Sequence, residues 1–218
     1  MSIKKLREIM DYRNFKLRSL SSLLFLLLYF LIISINLNLI VVLVSFIYFL
    51  IILEIYFYFK IIFKLIYIYI FLSIISFYIY FYSYFNLYEF NLVILTIITF
   101  DIFSYYVGSL YGKNKLYFKI SPNKTYEGLF GGIFFSNLLS LIYTFIFFKG
   151  QLFQYIILIN IVISLSFFGD LIESYFKRIN QIKNSSNYIP GHGGFFDRFD
   201  SFIFAIIFIV IFKIVNIL

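Results

Sequence analysis

Asp170 and Glu173 stand three residues apart, and so do Asp197 and Asp200. On helices, that spacing puts each pair on one face. Between the pairs runs Pro190-Gly191-His192-Gly193-Gly194, which holds the only histidine. Four carboxylates brought together repel one another unless something positive lies among them. Mg2+ is the natural partner, because it binds through a few carboxylates and completes its shell with substrate phosphates. Zinc would want several His or Cys ligands, and the chain has one His and no Cys. Lys177, Arg178, Lys183 and Arg198 in the same stretch supply charge for phosphates. Gly191, Gly193 and Gly194 would let the backbone pass close to a phosphate. The plainer alternative is a set of solvated acids capping helix starts. The crowding of acids, glycines, proline and histidine in one short loop argues against it.

A second polar stretch reads Ser121-Pro122-Asn123-Lys124-Thr125, with Glu127 and Gly128 just behind. A hydroxyl, an amine and free amides at a helix start make a phosphate site. The GxxxxGK[ST] spacing of a P-loop is absent. Lys113, Lys115 and Lys119 read more simply as charges that set membrane orientation. Asp101 lies deep in an apolar run, with Ser104, Tyr105 and Gly108 after it on about one helical face. A lone carboxylate there needs a partner, a proton or a cation. It is expected to line the substrate cavity, the alternative being a hydrogen-bonding seam between helices. Glu54 is expected to pair with Lys60 and Lys64, the alternative being a residue that supports the site.

The elements that position these residues follow from composition. The chain has 218 residues, 63% hydrophobic and 13% charged, against about 45–50% and 25% in soluble domains. A soluble enzyme is excluded on that ground. Apolar runs predict an all-α, polytopic integral membrane bundle with spans near 19–36, 38–58, 63–85, 90–110, 128–148, 151–172 and 199–217. A β-barrel would alternate apolar and polar residues, and these runs do not. Residues 1–18 form a basic leader, cytoplasmic or interfacial. Residues 19–110 form the N-terminal helices, and 111–218 the C-terminal helices with the two polar loops, all in one membrane domain. With the N-terminus inside and seven alternating spans, 16 of the 18 Lys and Arg residues fall on the cytoplasmic side. This positive-inside bias predicts an N-in, C-out chain with both loops facing the cytoplasm. The net charge of +8 then reflects basic loops beside a membrane and not nucleic-acid binding.

The two loops together resemble the phosphatidate cytidylyltransferases, or CDP-diacylglycerol synthases. The family's S-x-x-K-R segment and its P-G-H-G-G-x-x-D-R-x-D segment appear as Ser174, Lys177, Arg178, then Pro190 through Gly194, Asp197, Arg198 and Asp200. Its upstream GD appears as Gly169-Asp170. Its D-x-x-(A/S)-Y and K-x-S-P-x-K-T-x-E-G segments appear as Asp101, Ser104, Tyr105, then Lys119, Ser121, Pro122, Lys124, Thr125, Glu127 and Gly128. One acid of the pattern is replaced by Asn184.

The resemblance implies transfer of the cytidylyl group of CTP to phosphatidate at a bacterial inner membrane. It implies Mg2+ on Asp170, Asp197 and Asp200, with Glu173 as a further or supporting ligand and room for more than one metal ion, a monovalent one included. Lys124 and Arg198 would hold phosphates. Lys177 and Arg178 would hold the nucleotide or the lipid head, with Ser121, Thr125, Gly193 and Gly194 lining the same site. His192 would orient a phosphate or a ligating carboxylate. The partners implied are CTP, a phospholipid and the bilayer; a homodimer is left open. Three other readings stay open on the residues alone: a nucleotidyltransferase for another lipid phosphate, such as an isoprenoid ether lipid, a transporter or channel, and an inactive homologue.

Overall fold

The computed structural model describes residues 24, 27–61, 63–116, 120–122, 124–148, 150, 152–189 and 193–216. The basic leader 1–18 and His192 lie outside these residues. The described chain is helical, with residues 27–35 followed by six longer α-helices. These are α1 (Leu39–Tyr58), α2 (Phe63–Ile79), α3 (Leu87–Tyr111), α4 (Tyr126–Phe147), α5 (Leu152–Ile179) and α6 (Phe196–Ile214). A π-helical turn, Tyr80–Tyr84, extends α2.

The helices correspond to the expected spans, and five of them are long and apolar enough to cross a membrane. The exception is α6, whose 19 residues carry Asp197, Arg198 and Asp200 at one end and Lys213 at the other. The expected span 19–36 is only partly described. The chain is a polytopic membrane bundle.

Helix starts follow local chemistry. Asn86 caps α3 by accepting from the backbone N–H groups of Tyr88 and Glu89, at 2.9 and 3.3 Å. Thr125 caps α4 by accepting from Gly128 N at 3.1 Å. The amphipathy is inverted relative to a water-soluble protein. In α4, Gly128, Gly132, Ser136, Ser140 and Thr144 recur every fourth residue and are buried. Phe130, Phe134 and Phe145 point outward with 64–71% of their surface exposed. Small and hydroxylated residues let helices approach and bond where lipid offers no partner. Thr96 and Ser140 join α3 to α4 at 2.8 Å, and Ser73 donates to the Ile203 carbonyl, linking α2 to α6, at 2.9 Å. A Cβ on Gly128 would lie 2.6 Å from the Ser104 carbonyl, so the α3–α4 crossing needs glycine there.

Helix α5 is the longest, at 28 residues, or about 42 Å at 1.5 Å per residue. The hydrocarbon layer is about 30 Å thick. The surplus carries Asp170, Glu173, Lys177 and Arg178 toward the end of the bundle where α1 and α3 also end and α4 and α6 begin. Both polar loops lie at that end.

Candidate active site

The first loop is folded back onto its own helix. The backbone N–H of Leu116 donates to the Lys124 carbonyl at 2.9 Å, and Tyr126 N donates to the Asn114 carbonyl at 3.0 Å. Glu127 accepts from the Asn114 backbone N–H and from its side-chain amide, the latter at 2.8 Å. These contacts fix Lys124 beside the α4 cap. Its ammonium reaches across to α5, 2.8 Å from Asp170 Oδ2 and 4.9 Å from the centre of the Phe167 ring. Ser121 lies in the turn before it, its carbonyl accepting from Lys124 N at 3.3 Å.

Asp170 meets α6 as well as the first loop. A Cβ on Gly169 would lie 2.8 Å from the Asp200 carbonyl and 2.9 Å from Ser201 Cα. The Gly-Asp pair therefore seats the first turn of α6 against α5. Asp200 is buried, and Ser201 N donates to its Oδ1 at 2.9 Å. The charges of Asp170, Glu173 and Asp101 all bear on Asp200. Those of Asp170, Lys124 and Arg198 bear on Asp101, whose Oδ1 is buried without a hydrogen-bond donor. Asp101 thus faces the site from α3, with Ser104 toward α4. Tyr105 does not join them: it is 67% exposed on the outer face of the bundle.

A second cluster lies alongside. Lys177 Nζ sits 2.7 Å from Glu173 Oε2 and 2.8 Å from Asp197 Oδ1. The other oxygen of Asp197 accepts from the backbone N–H groups of Ser185 and Gly194, at 3.0 and 2.9 Å. Asp197 is thus held by three protein donors, one on Oδ1 and two on Oδ2. Asp170 and Asp200 lie with Asp101 and Lys124, and Glu173 and Asp197 share Lys177, with the charge of Glu173 also bearing on Asp200. Among the described residues, no three acidic or histidine side chains form a metal-ligand group.

A family model described as the cytidylyltransferase family matches residues 2–215. The chain belongs to that family. It is 48% identical over 102 residues to the phosphatidate cytidylyltransferase of Bacillus subtilis strain 168, a match covering 45% of this chain and 37% of that protein. It is 47% identical over 96 residues to the phosphatidate cytidylyltransferase of Staphylococcus epidermidis strain RP62A. It is 46% identical over 98 residues to that of Staphylococcus aureus strain COL. Each of those two matches covers 44% of this chain and 37% of the relative. The chain thus matches little more than a third of the length of these curated relatives.

In this cytidylyltransferase family member, several residues singled out for ligands hold the loops together. Arg178 donates to the carbonyls of Ile120 and Ile182, at 3.3 and 3.4 Å, tying one loop to the other. Thr125 is the α4 cap. Gly193 has φ +87°, and a Cβ there would lie 2.6 Å from Asp197 Oδ2. At Gly194 a Cβ would lie 2.0 Å from Ser185 Oγ and 2.7 Å from both Glu54 carboxylate oxygens. These two glycines admit protein carboxylates close to the backbone. Lys183 and Asn184 are exposed. Glu54 bonds to the second loop and not to Lys60 or Lys64, because its end of α1 is buried against that loop. Ser185, Ser186, Asn180 and Ser201 were not singled out from sequence; their only signal was hydroxyl and amide groups clustered in a loop otherwise read for its charges.

Proposed function

We propose that this family member transfers the cytidylyl group of CTP to phosphatidate, giving CDP-diacylglycerol and pyrophosphate. The observation that carries the reading is the 2.8 Å contact between Lys124 and Asp170. It joins the two motif-bearing segments at one end of a membrane bundle, beside Asp101 and Asp200. The names of the relatives support phosphatidate as the acceptor.

A phosphate oxygen of phosphatidate attacks the α-phosphorus of CTP. The bond from that phosphorus to the bridging oxygen breaks, and pyrophosphate leaves with the electron pair. The attacking phosphate is largely a dianion near pH 7, with a second pKa of about 6 for such monoesters. No Ser or Cys nucleophile and no strong general base are needed. The barrier lies in bringing two anions together. Lys124 and Arg198 hold phosphates and offset that repulsion and the charge on the leaving group. Lys177 keeps Glu173 and Asp197 from repelling one another, and Asp197 holds the second loop in register.

Mg2+ fits the donor set. Asp170 and Asp200 are neighbouring carboxylates on facing helices, and the orphaned, buried Oδ1 of Asp101 is an acceptor that suits a cation. Asp170 and Asp200 would hold the ion, with Asp101 beside it. When bound, it supplies neutralisation of phosphate charge and alignment of the leaving group. The charge bias of the loops supports a site at the cytoplasmic face.

The test presents the purified chain, in mixed micelles with Mg2+ and CTP labelled at the α-phosphorus, with phosphatidate, an isoprenoid ether lipid phosphate or no lipid. The reading expects label to enter the lipid phase with phosphatidate. Label entering only with the isoprenoid lipid, or with neither, overturns it.

A further inference from the structure

Glu54 lies in α1, outside both motif-bearing loops, and its side chain is fully buried. Its carboxylate accepts four hydrogen bonds. Oε1 takes the Ser186 hydroxyl and the Phe195 backbone N–H, both at 2.7 Å. Oε2 takes the Ser185 hydroxyl at 3.1 Å and the Phe196 backbone N–H at 2.9 Å. A carboxylate accepts and does not donate, and here each oxygen is matched by two donors.

The donors come from two parts of the second loop. Phe195 and Phe196 open α6, and Phe195 has no side-chain cap of its own. The first N–H groups of a helix have no partner within it. Glu54 supplies that partner from another helix, and its negative charge faces the positive end of the α6 dipole. Ser185 and Ser186 bring in the part of the loop that also gives an N–H to Asp197. The backbone of Gly194 passes so close that any side chain there would strike the carboxylate.

A second clamp fixes the same end of α1 to α5. Asn180, just past α5, accepts from the backbone N–H groups of Lys60 and Ile61, at 2.8 and 2.7 Å. It donates back to the Ile61 carbonyl at 3.1 Å. The end of α1 is therefore bonded both to the helix that carries Asp170 and to the helix that carries Asp200.

We propose that Glu54 is a positioning residue, which sets the first turn of α6, and through it Asp200 and Arg198, against Asp170 and Lys124. Its role in turnover rests on the cytidylyl-transfer reading; its hold on the loop does not. Glu54→Gln keeps the volume and one acceptor but turns an NH2 group toward two donors. The experiment uses this Cys-free chain with single reporters at buried positions, Ile189→Cys in the loop and Ile40→Cys at the far end of the bundle. Maleimide labelling rates are measured with Glu54 and with Glu54→Gln, beside kcat and KM for CTP.

The proposal expects Glu54→Gln to raise labelling at 189 about tenfold while labelling at 40 is unchanged. It expects kcat to fall about 10- to 100-fold, the scale of a displacement near 1 Å, with a smaller change in KM. Unchanged labelling at 189 overturns it. A rise at both reporters also overturns it, because that marks general loosening. A loosened loop with unchanged kcat overturns the positioning role. If the parent chain consumes no CTP, the transfer reading fails, and the labelling arm still decides whether Glu54 holds the loop.

Discussion

Lys177 pairs with both Glu173 and Asp197, and its side chain is 13% exposed. Replacing it with Met keeps most of the stem and removes the charge. Glu173 then loses its contact at Oε2 and already lacks one at Oε1; Asp197 keeps only its backbone donors. Removing one partner of a buried ion pair costs about 3–5 kcal/mol, because the remaining charge is uncompensated. At about 2–4 °C per kcal/mol for chains of this size, the midpoint should drop by about 6–20 °C. The double variant Lys177→Met, Glu173→Gln removes one orphaned charge and leaves a neutral amide. An unsatisfied neutral group costs about 1–3 kcal/mol, so the double variant should recover about 2 kcal/mol. Both are measured by equilibrium unfolding in mixed micelles. Lys213→Met serves as a control, since it breaks the buried pair with Glu89 at the opposite end of the bundle. It should destabilise comparably and leave turnover per folded molecule intact. A Lys177→Met loss below about 1 kcal/mol, or a double variant no more stable than the single, refutes this account of the cluster.

Other outcomes follow from the same geometry. Lys124→Ala should lower kcat about 10²- to 10³-fold, the effect of losing one charge-stabilising donor, with little change in unfolding midpoint, since the lysine is partly exposed; initial rates with labelled CTP check it. Gly194→Ala places a methyl on Ser185 and Glu54, and should destabilise by about 1–3 kcal/mol through overpacking while lowering turnover, read from unfolding and rate assays on one preparation. A Thr96→Ala, Ser140→Val cycle should give a coupling of only about 0.6 kcal/mol, because each hydroxyl can also bond its own helix; Thr96 already bonds the Leu92 carbonyl.

The helices were legible because runs of apolar residues without Gly or Pro have few alternatives in a bilayer. Their exact lengths were not. The expected sixth span stops at residue 172, yet α5 continues to Ile179, since a charged, amphipathic turn can leave the membrane and stay helical. The inward stripe of α4, Gly128 to Thr144, stands in plain view at every fourth residue, but a search for apolar spans passes over small polar residues. In the candidate site, residue types and order were legible, and the meeting of Lys124 with Asp170 agrees with them. What spacing left undecided was which acids share a cation. Asp197 and Asp200 occupy one helical face, yet Asp197 turns back to Lys177 and two backbone N–H groups while Asp200 faces Asp170. Glu54 shows the same limit, because its partners lie more than 130 residues away and no local pattern announces them.

Transfer of the cytidylyl group is read from the fate of the CTP phosphorus atoms. Phosphorus NMR of a reaction with phosphatidate and Mg2+ should show the α-phosphorus of CTP joining the lipid as CDP-diacylglycerol. The β- and γ-phosphorus atoms should leave together as pyrophosphate, in equal amount. Appearance of the γ-phosphorus on the lipid, or release of inorganic phosphate without a nucleotide-bearing lipid, would contradict the account.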